Sequence, residues 1–156
     1  WEQKNYNAPV PQGYVRFEYF NLFPDGKGGL FGVAGRTTTT QQLNAMFMRL
    51  YGKTLDFNTS GYIWDAVYLF RIPDMHKEEV IVQDALYQPD YFNRGQFPEE
   101  GGKITCAVAN LNNGGATFLA SNGYLYVVFN AQGNDRLAVY DTQNNFKKIK
   151  SVSKKH

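Results

Sequence analysis

The sequence predicts a mainly β (α+β) domain: an antiparallel sheet or sandwich of about seven to nine strands, with one amphipathic helix packed on it. Three observations lead to this fold class. Short β-branched or aromatic runs recur along most of the chain, one segment has helical apolar spacing, and Asn- and Gly-rich turns divide the C-terminal part into closely spaced runs.

The chain has the length of one domain. Its 156 residues, 43% of them hydrophobic, suffice to bury a core without metals or disulfides. We expect an extended lead-in over residues 1–13, a single β-rich domain over 14–152, and a basic C-terminal tail over 153–156. Because the chain begins at Trp1 without a Met or a leader peptide, we also expect that an upstream segment has been removed.

The first predicted strand begins at Tyr14 and alternates apolar with polar residues up to Phe20. The turn Pro24-Asp25-Gly26 ends this strand, because Pro fixes φ and Gly permits a positive φ. The glycines from Gly26 to Gly35 match neither phosphate-loop nor dinucleotide-loop spacing. They predict a hairpin followed by a strand bent at glycine.

One helix is predicted over about residues 40–51. Its apolar residues have the i, i+3, i+4, i+7, i+8 spacing of a single helical stripe: Leu43, Met46, Phe47, Leu50 and Tyr51. Thr39 or Thr40 is expected to cap its first N–H groups, and Gly52 lies where a left-handed residue would end it.

Seven further strands are predicted after the helix, at residues 63–72, 79–86, 103–109, 116–120, 124–129, 136–141 and 146–152. Turn residues at 112–115, 121–123 and 132–135 separate the later ones. Such short connections force neighbouring strands antiparallel. The C-terminal part is therefore predicted to be an antiparallel meander.

Three runs within this meander, NGYLYVVF at 122–129, RLAVYDT at 136–142 and FKKI at 146–149, resemble one blade of a β-propeller. The resemblance covers residues 122–149 alone. A propeller repeats its blade at least about four times, and no second copy is visible in the sequence. The resemblance therefore supports a local meander and implies no function.

Charge and histidine content exclude several classes of function. Five of the sixteen basic residues lie near the C-terminus, and the other eleven face fourteen acidic ones, a net charge of −3. A basic tail on an acidic body disfavours nucleic acid as a partner. No apolar run is long enough to span a membrane. The sequence has two histidines: His76, within an expected solvated turn at 73–79, and the terminal His156. This number excludes a histidine-rich metal site.

Catalytic chemistry finds little support in the sequence. Cys106 lies in an apolar run and is interpreted as a buried hydrophobic residue. No serine has the context of a nucleophile elbow. Scattered carboxylates such as Asp65 and Asp84 leave a paired-acid mechanism open. We expect no cofactor, no metal site and no identified catalytic residue, and the balance favours a protein that is not an enzyme.

The most distinctive segment runs from Tyr87 to Phe97. It combines aromatic rings, an Arg and amides, a mixture that is enriched in binding hot spots. The alternative interpretation is a long loop whose aromatics pack into the core. The candidate binding residues are Tyr87, Asp90, Tyr91, Phe92, Asn93, Arg94 and Phe97.

The leading functional hypothesis is a non-enzymatic protein-binding module of a bacterial envelope or secretion system, for instance an immunity protein that blocks a secreted toxin. The expected location is periplasmic or secreted, with the cytoplasm left open. A second hypothesis is a small carbohydrate-binding or carbohydrate-active domain that uses Trp64, Tyr87, Tyr91 or Phe92 as stacking platforms. A third is a structural subunit of a pilus, phage tail or secretion apparatus, which would assemble through an uncovered edge strand.

Overall fold

A computed structural model describes residues 16–57, 61–105 and 116–155. These residues form mostly β structure with one α-helix, which confirms the predicted fold class. Eleven strands occur in the described ranges, in two four-stranded sheets and one three-stranded sheet. The number exceeds the predicted seven to nine because some strands of the small sheet contain only two residues. The predicted lead-in at 1–13 and Cys106 lie outside the described residues.

The N-terminal sheet contains β1 (Arg16–Pro24), β2 (Leu30–Thr39), β4 (Tyr62–Ile72) and β5 (Ile81–Tyr87) in the order β1-β2-β4-β5, all antiparallel. The predicted turn after Pro24 is confirmed. Asp25 Oδ1 accepts hydrogen bonds from the backbone N–H groups of Lys27 and Gly29 at 2.6 and 2.9 Å, and Gly26 has φ +76°.

The helix α1 (Thr40–Tyr51) has the predicted bounds and both predicted caps. Thr39 Oγ1 accepts a hydrogen bond from Gln42 N at 3.1 Å, and Gly52 ends the helix with φ +64°. The small sheet follows the order β3-β7-β6, with β3 (Leu55–Asp56), β6 (Glu99–Glu100) and β7 (Lys103–Thr105). Leu43, Phe47 and Ile104 form part of a core between the helix and this sheet.

The C-terminal sheet contains β8 (Ala116–Leu119), β9 (Tyr124–Ala131), β10 (Asn134–Asp141) and β11 (Lys147–Lys155). Its strand order β11-β10-β9-β8 is the predicted antiparallel meander. Strand β11 continues past the predicted boundary at residue 152. Ser153 pairs with Arg136, and Lys155 pairs with Asn134, because β10 begins early enough to offer partners. Residues 153–155 therefore belong to the sheet and not to a tail.

The two four-stranded sheets pack face to face as a sandwich. Buried residues of both sheets share one core: Phe31, Val33, Val67, Leu69 and Tyr87 from the N-terminal sheet, and Leu125, Val127, Phe129, Ala131, Ala138 and Tyr140 from the C-terminal sheet. Side chains alternate along a strand. The residues between these positions in the C-terminal sheet consequently point away from the sandwich.

Candidate functional site

The segment 87–97 connects the sandwich core with the core beneath the helix. Tyr87 lies in the sandwich core, where the Arg136 guanidinium carbon is 4.9 Å from its ring centroid. Tyr91 and Phe97 lie in the helix core, stacked with centroids 5.8 Å apart and both edge-on to Phe47. These three aromatics are buried, so they anchor the segment and are not presented to a partner.

A buried ion pair fixes the middle of this segment. Arg36 Nε and Nη2 donate to Asp65 Oδ1 and Oδ2, both at 3.0 Å, and the Asp65 side chain has no exposed surface. The Tyr91 hydroxyl donates to Asp65 Oδ2 at 2.6 Å. Burial raises the pKa of the neighbouring Tyr68, although the adjacent Arg36 opposes this shift. This cluster joins the N-terminal sheet to the segment.

The polar candidates of the segment also make structural contacts. Asp90 Oδ1 accepts a hydrogen bond from Phe92 N at 3.1 Å, and Asn93 N donates to the Asp90 carbonyl. Arg94 Nη2 forms an ion pair with Glu99 Oε2 at 2.7 Å. A hydrogen bond from Lys53, supported by Arg94, holds the pKa of Glu99 below its usual range.

Phe92 is the aromatic of this segment that the structure leaves exposed, at 82%. The stacking platforms named for carbohydrate binding do not form a shared exposed surface. Tyr87 and Tyr91 are buried, and Trp64 is half-buried with its indole N–H donating to Glu18 Oε2 at 3.0 Å. Coplanar rings beside Asp90 are therefore not available from this set.

Several exposed apolar residues lie together on the C-terminal sheet, whereas Phe92 is the single exposed aromatic of the segment 87–97. We call it the outer face, and it consists of Phe118, Tyr126, Val128, Leu137 and Val152. These residues are neighbours across the strands: Phe118 pairs with Tyr126, and Leu137 pairs with Val128 on one side and Val152 on the other. Phe118, Val128 and Val152 are exposed at 65%, 44% and 43%.

The outer face contains a shallow depression of about 240 Å³ beside a basic strand. Val128, Leu137 and Val152 form its apolar floor, and Lys150 and Lys154 lie along its border. These lysines flank Val152 at two-residue spacing on β11, so they share its direction. Asp135, which accepts a hydrogen bond from Asn130 at 3.1 Å, also lines the depression.

The sequence offered little indication of the outer face. The run from Tyr124 to Phe129 is almost entirely apolar, so the alternation of buried and exposed positions is not visible in it. The sequence predicts a strand over 146–152 and places Lys154 and Lys155 in a tail, because the pairing of these two residues with β10 is a long-range feature. The one available signal was Val152 between Lys150 and Lys154, which is the alternation of a strand with one polar face.

An ion pair connects the two sheets of the sandwich. Asp84 on β5 contacts Lys148 Nζ on β11 at 2.7 Å and accepts a hydrogen bond from the Tyr140 hydroxyl at 2.6 Å. Burial raises the pKa of Asp84, but Lys148 and Tyr140 outweigh it and the net pKa lies below the usual 3.8. Burial raises the pKa of Tyr140, and the hydrogen bond that its hydroxyl donates to Asp84 raises it further.

Neither a metal-binding cluster nor a membrane-spanning helix occurs among the described residues. Across the described ranges, no group of three or more His, Cys, Asp or Glu side chains is arranged to hold a metal ion. His76 lies exposed in a turn, where its backbone N–H donates to Asp74 Oδ1 at 2.9 Å, as predicted for residues 73–79. Among the residues that the structure describes, none of the helices has the length and apolar character needed to cross a bilayer.

Comparison with protein-family models, curated proteins and solved structures found no match. The function of this chain must therefore be inferred from its fold and from the geometry of its surfaces. They define a class: a β-sandwich with a helix packed beside it and an exposed, partly basic sheet face.

Proposed function

We propose that this chain is a non-enzymatic protein-binding module that contacts its partner through the outer face. The observation that carries the proposal is the exposure of Phe118, Val128 and Val152 on one side of one sheet. Scattered exposed apolar residues are ordinary, whereas neighbouring ones on a regular surface are typical of an interaction site.

The basic border specifies the chemistry of the partner. Three basic residues line the apolar depression, Arg136, Lys150 and Lys154, against one acidic residue, Asp135. A complementary surface would have an apolar centre with Asp or Glu beside it, because complementary charges speed association and exclude wrong partners. We therefore propose that the partner of the outer face is a protein surface with an apolar centre and acidic residues beside it.

The same strand argues against assembly through strand pairing. Strand β11 lies at one edge of its sheet, and lysines on an edge strand discourage addition of another strand. Addition of another strand at this edge is therefore disfavoured, and the structural-subunit hypothesis would need the opposite edge strand, β8. We keep the envelope or secretion location and the role of immunity protein as hypotheses. Identification of a partner with an acidic, apolar surface would test both.

A peptide-display selection against the purified chain tests the proposal. We expect enriched peptides that combine apolar residues with Asp or Glu, and binding that weakens as salt increases because exposed charges are screened. The Phe118→Ser/Val128→Ser variant should weaken binding at least tenfold, since central apolar anchors dominate interface energies.

The matched control is Phe92→Ser/Val82→Ser. It removes the same two residue types, exposed at 82% and 45%, from outside the outer face. Loss of binding in this control, with full binding retained by Phe118→Ser/Val128→Ser, would place the site away from the outer face and refute the proposal. A selection that enriches no peptide with acidic and apolar residues would also refute it.

A further inference from the structure

A cleft of about 560 Å³ opens at one end of the sandwich. The turns at 24–29, 120–123 and 142–146 contribute to its walls. Its volume lies within the range of roughly 300–1,000 Å³ that is common for small-molecule sites. The residues that carry its chemistry are Lys27, Phe31, Arg71, Ser121, Gln143 and Phe146. None of them belongs to the outer face.

Arg71 is the principal charged group of the cleft. Its guanidinium carbon is 5.0 Å from the centroid of the Phe146 ring, and its Nη1 donates a long hydrogen bond of 3.4 Å to the neutral amide of Gln83. In the part of the chain that the structure describes, no carboxylate forms an ion pair with it. Because a guanidinium carries five N–H donors, most of its donor capacity is available to an anion.

The aromatic rings give the cleft an apolar side. Phe31 and Phe146 meet edge to face with centroids 5.2 Å apart, and Phe23 stacks on Phe31 at 5.6 Å. Phe31 is the cross-strand partner of Arg71, so the cation and the rings occupy the same end of the sandwich. Such a pair suits a ligand with an anionic group attached to an apolar or aromatic body.

Other charged groups of the cleft also affect an anion. Lys27 is exposed in the turn and adds positive charge. Asp25 opposes it, but Asp25 Oδ1 is held by the backbone N–H groups of its own turn at 2.6 and 2.9 Å. These hydrogen bonds offset part of its negative charge. The two cations therefore outweigh the single carboxylate.

We propose that this cleft binds a carboxylate attached to an aromatic or branched apolar group. The Arg71 guanidinium would hold the carboxylate in a bidentate arrangement, for which its planar shape is suited. The half-buried ring of Phe146, which packs on the buried Phe31, would contact the apolar body. Such a ligand is either a free organic acid or the C-terminal residue of a peptide. This inference goes beyond the proposed function and does not depend on it.

Calorimetric titration with N-acetyl-L-phenylalanine and with its uncharged amide tests the proposal. We expect the acid to bind at least tenfold more tightly than the amide, because hydrogen bonds to charged groups are the stronger ones. The Arg71→Gln variant should bind the acid at least tenfold more weakly. Arg49→Gln, at an exposed position of α1, should leave binding unchanged.

A heptapeptide ending in phenylalanine, with a free or an amidated C-terminus, separates the two sources of the carboxylate. Tighter binding of the free peptide than of N-acetyl-L-phenylalanine assigns the site to protein C-termini, and equal binding assigns it to small organic acids. Either result requires preference for the acid over the amide in the wild-type chain, a comparison that is independent of the folding of any variant. Absence of binding by every acid, or equal binding of acid and amide, overturns the proposal.

Discussion

The Tyr91 hydroxyl donates a 2.6 Å hydrogen bond to Asp65, a carboxylate that also forms two 3.0 Å hydrogen bonds with Arg36. Asp65 and Arg36 belong to the N-terminal sheet, whereas Tyr91 belongs to the segment 87–97. The segment that combined most of the residues expected at a binding site is thus attached to the sheet through a buried charge. Packing and hydrogen bonding hold this segment in place, and the larger exposed apolar surface is the outer face of the C-terminal sheet.

Tyr91→Phe tests this attachment. The variant keeps the ring between Phe47 and Phe97 but removes a donor to a buried carboxylate. Hydrogen bonds to charged groups are worth about 1.5–3 kcal/mol, so we expect a loss of that size in urea-induced unfolding. Tyr126→Phe, on the half-exposed outer face, should change stability by less than about 0.5 kcal/mol. Equal stability of Tyr91→Phe and the wild type would show that this bond does not hold the segment.

The buried ion pair should behave non-additively. Arg36→Met leaves Asp65 buried without its counter-ion and should destabilise the chain by about 3–5 kcal/mol. Replacing both residues, as Arg36→Met/Asp65→Leu, removes the unpaired charge and should recover part of that loss. Urea unfolding of the wild type, both single variants and the double variant measures the coupling. If the double variant lost the sum of the two single losses, the pair would not be coupled.

The Asp84–Lys148 ion pair predicts a pH dependence. Because the pKa of Asp84 is lower in the folded chain than in the unfolded one, its contribution is present above the unfolded pKa and is lost as pH falls through the folded pKa. The stability difference between the wild type and Asp84→Asn should therefore be largest at neutral pH and shrink below about pH 4. Thermal unfolding between pH 2 and 7 measures it, with the exposed Glu100→Gln as control. A difference that stays constant with pH would contradict the assignment.

Two glycines of the first turn should respond differently to alanine. A Cβ on Gly29 would lie 2.4 Å from the Ile72 carbonyl and 2.5 Å from the Pro73 carbonyl, so Gly29→Ala should cost about 2–3 kcal/mol or more. Gly26→Ala meets open space but has φ +76° and should cost only about 1 kcal/mol. Melting temperatures of the two variants provide the comparison. A smaller loss for Gly29→Ala than for Gly26→Ala would show that the turn can move away.

Local signals predicted the parts of the fold that depend on neighbouring residues. The prediction of helix α1 is correct at both ends, because the Thr39 cap, the Gly52 cap and the apolar spacing all act within a few residues. The turn after Pro24 and the C-terminal meander were predicted for the same reason. The bounds of β11 were less accurate, because its last residues are held by β10 and lysines do not mark a strand.

The location of exposed apolar surface depends on packing between distant parts of the chain. Tyr91 packs against Phe47, which lies 44 residues earlier, and donates a hydrogen bond to Asp65, which lies 26 residues earlier. Val127 is buried and Val128 exposed because the N-terminal sheet covers only one side of β9. Neither outcome has a local signature, so composition alone could not distinguish the segment 87–97 from the outer face.

The most direct test of the proposed function is an NMR footprint of a display-selected peptide on the isotope-labelled chain. We predict that amide shifts change on β8 to β11 around Phe118, Val128 and Val152, and that the segment 87–97 is unaffected. A footprint centred on Phe92 and Asn93, with the outer face unperturbed, would contradict the account.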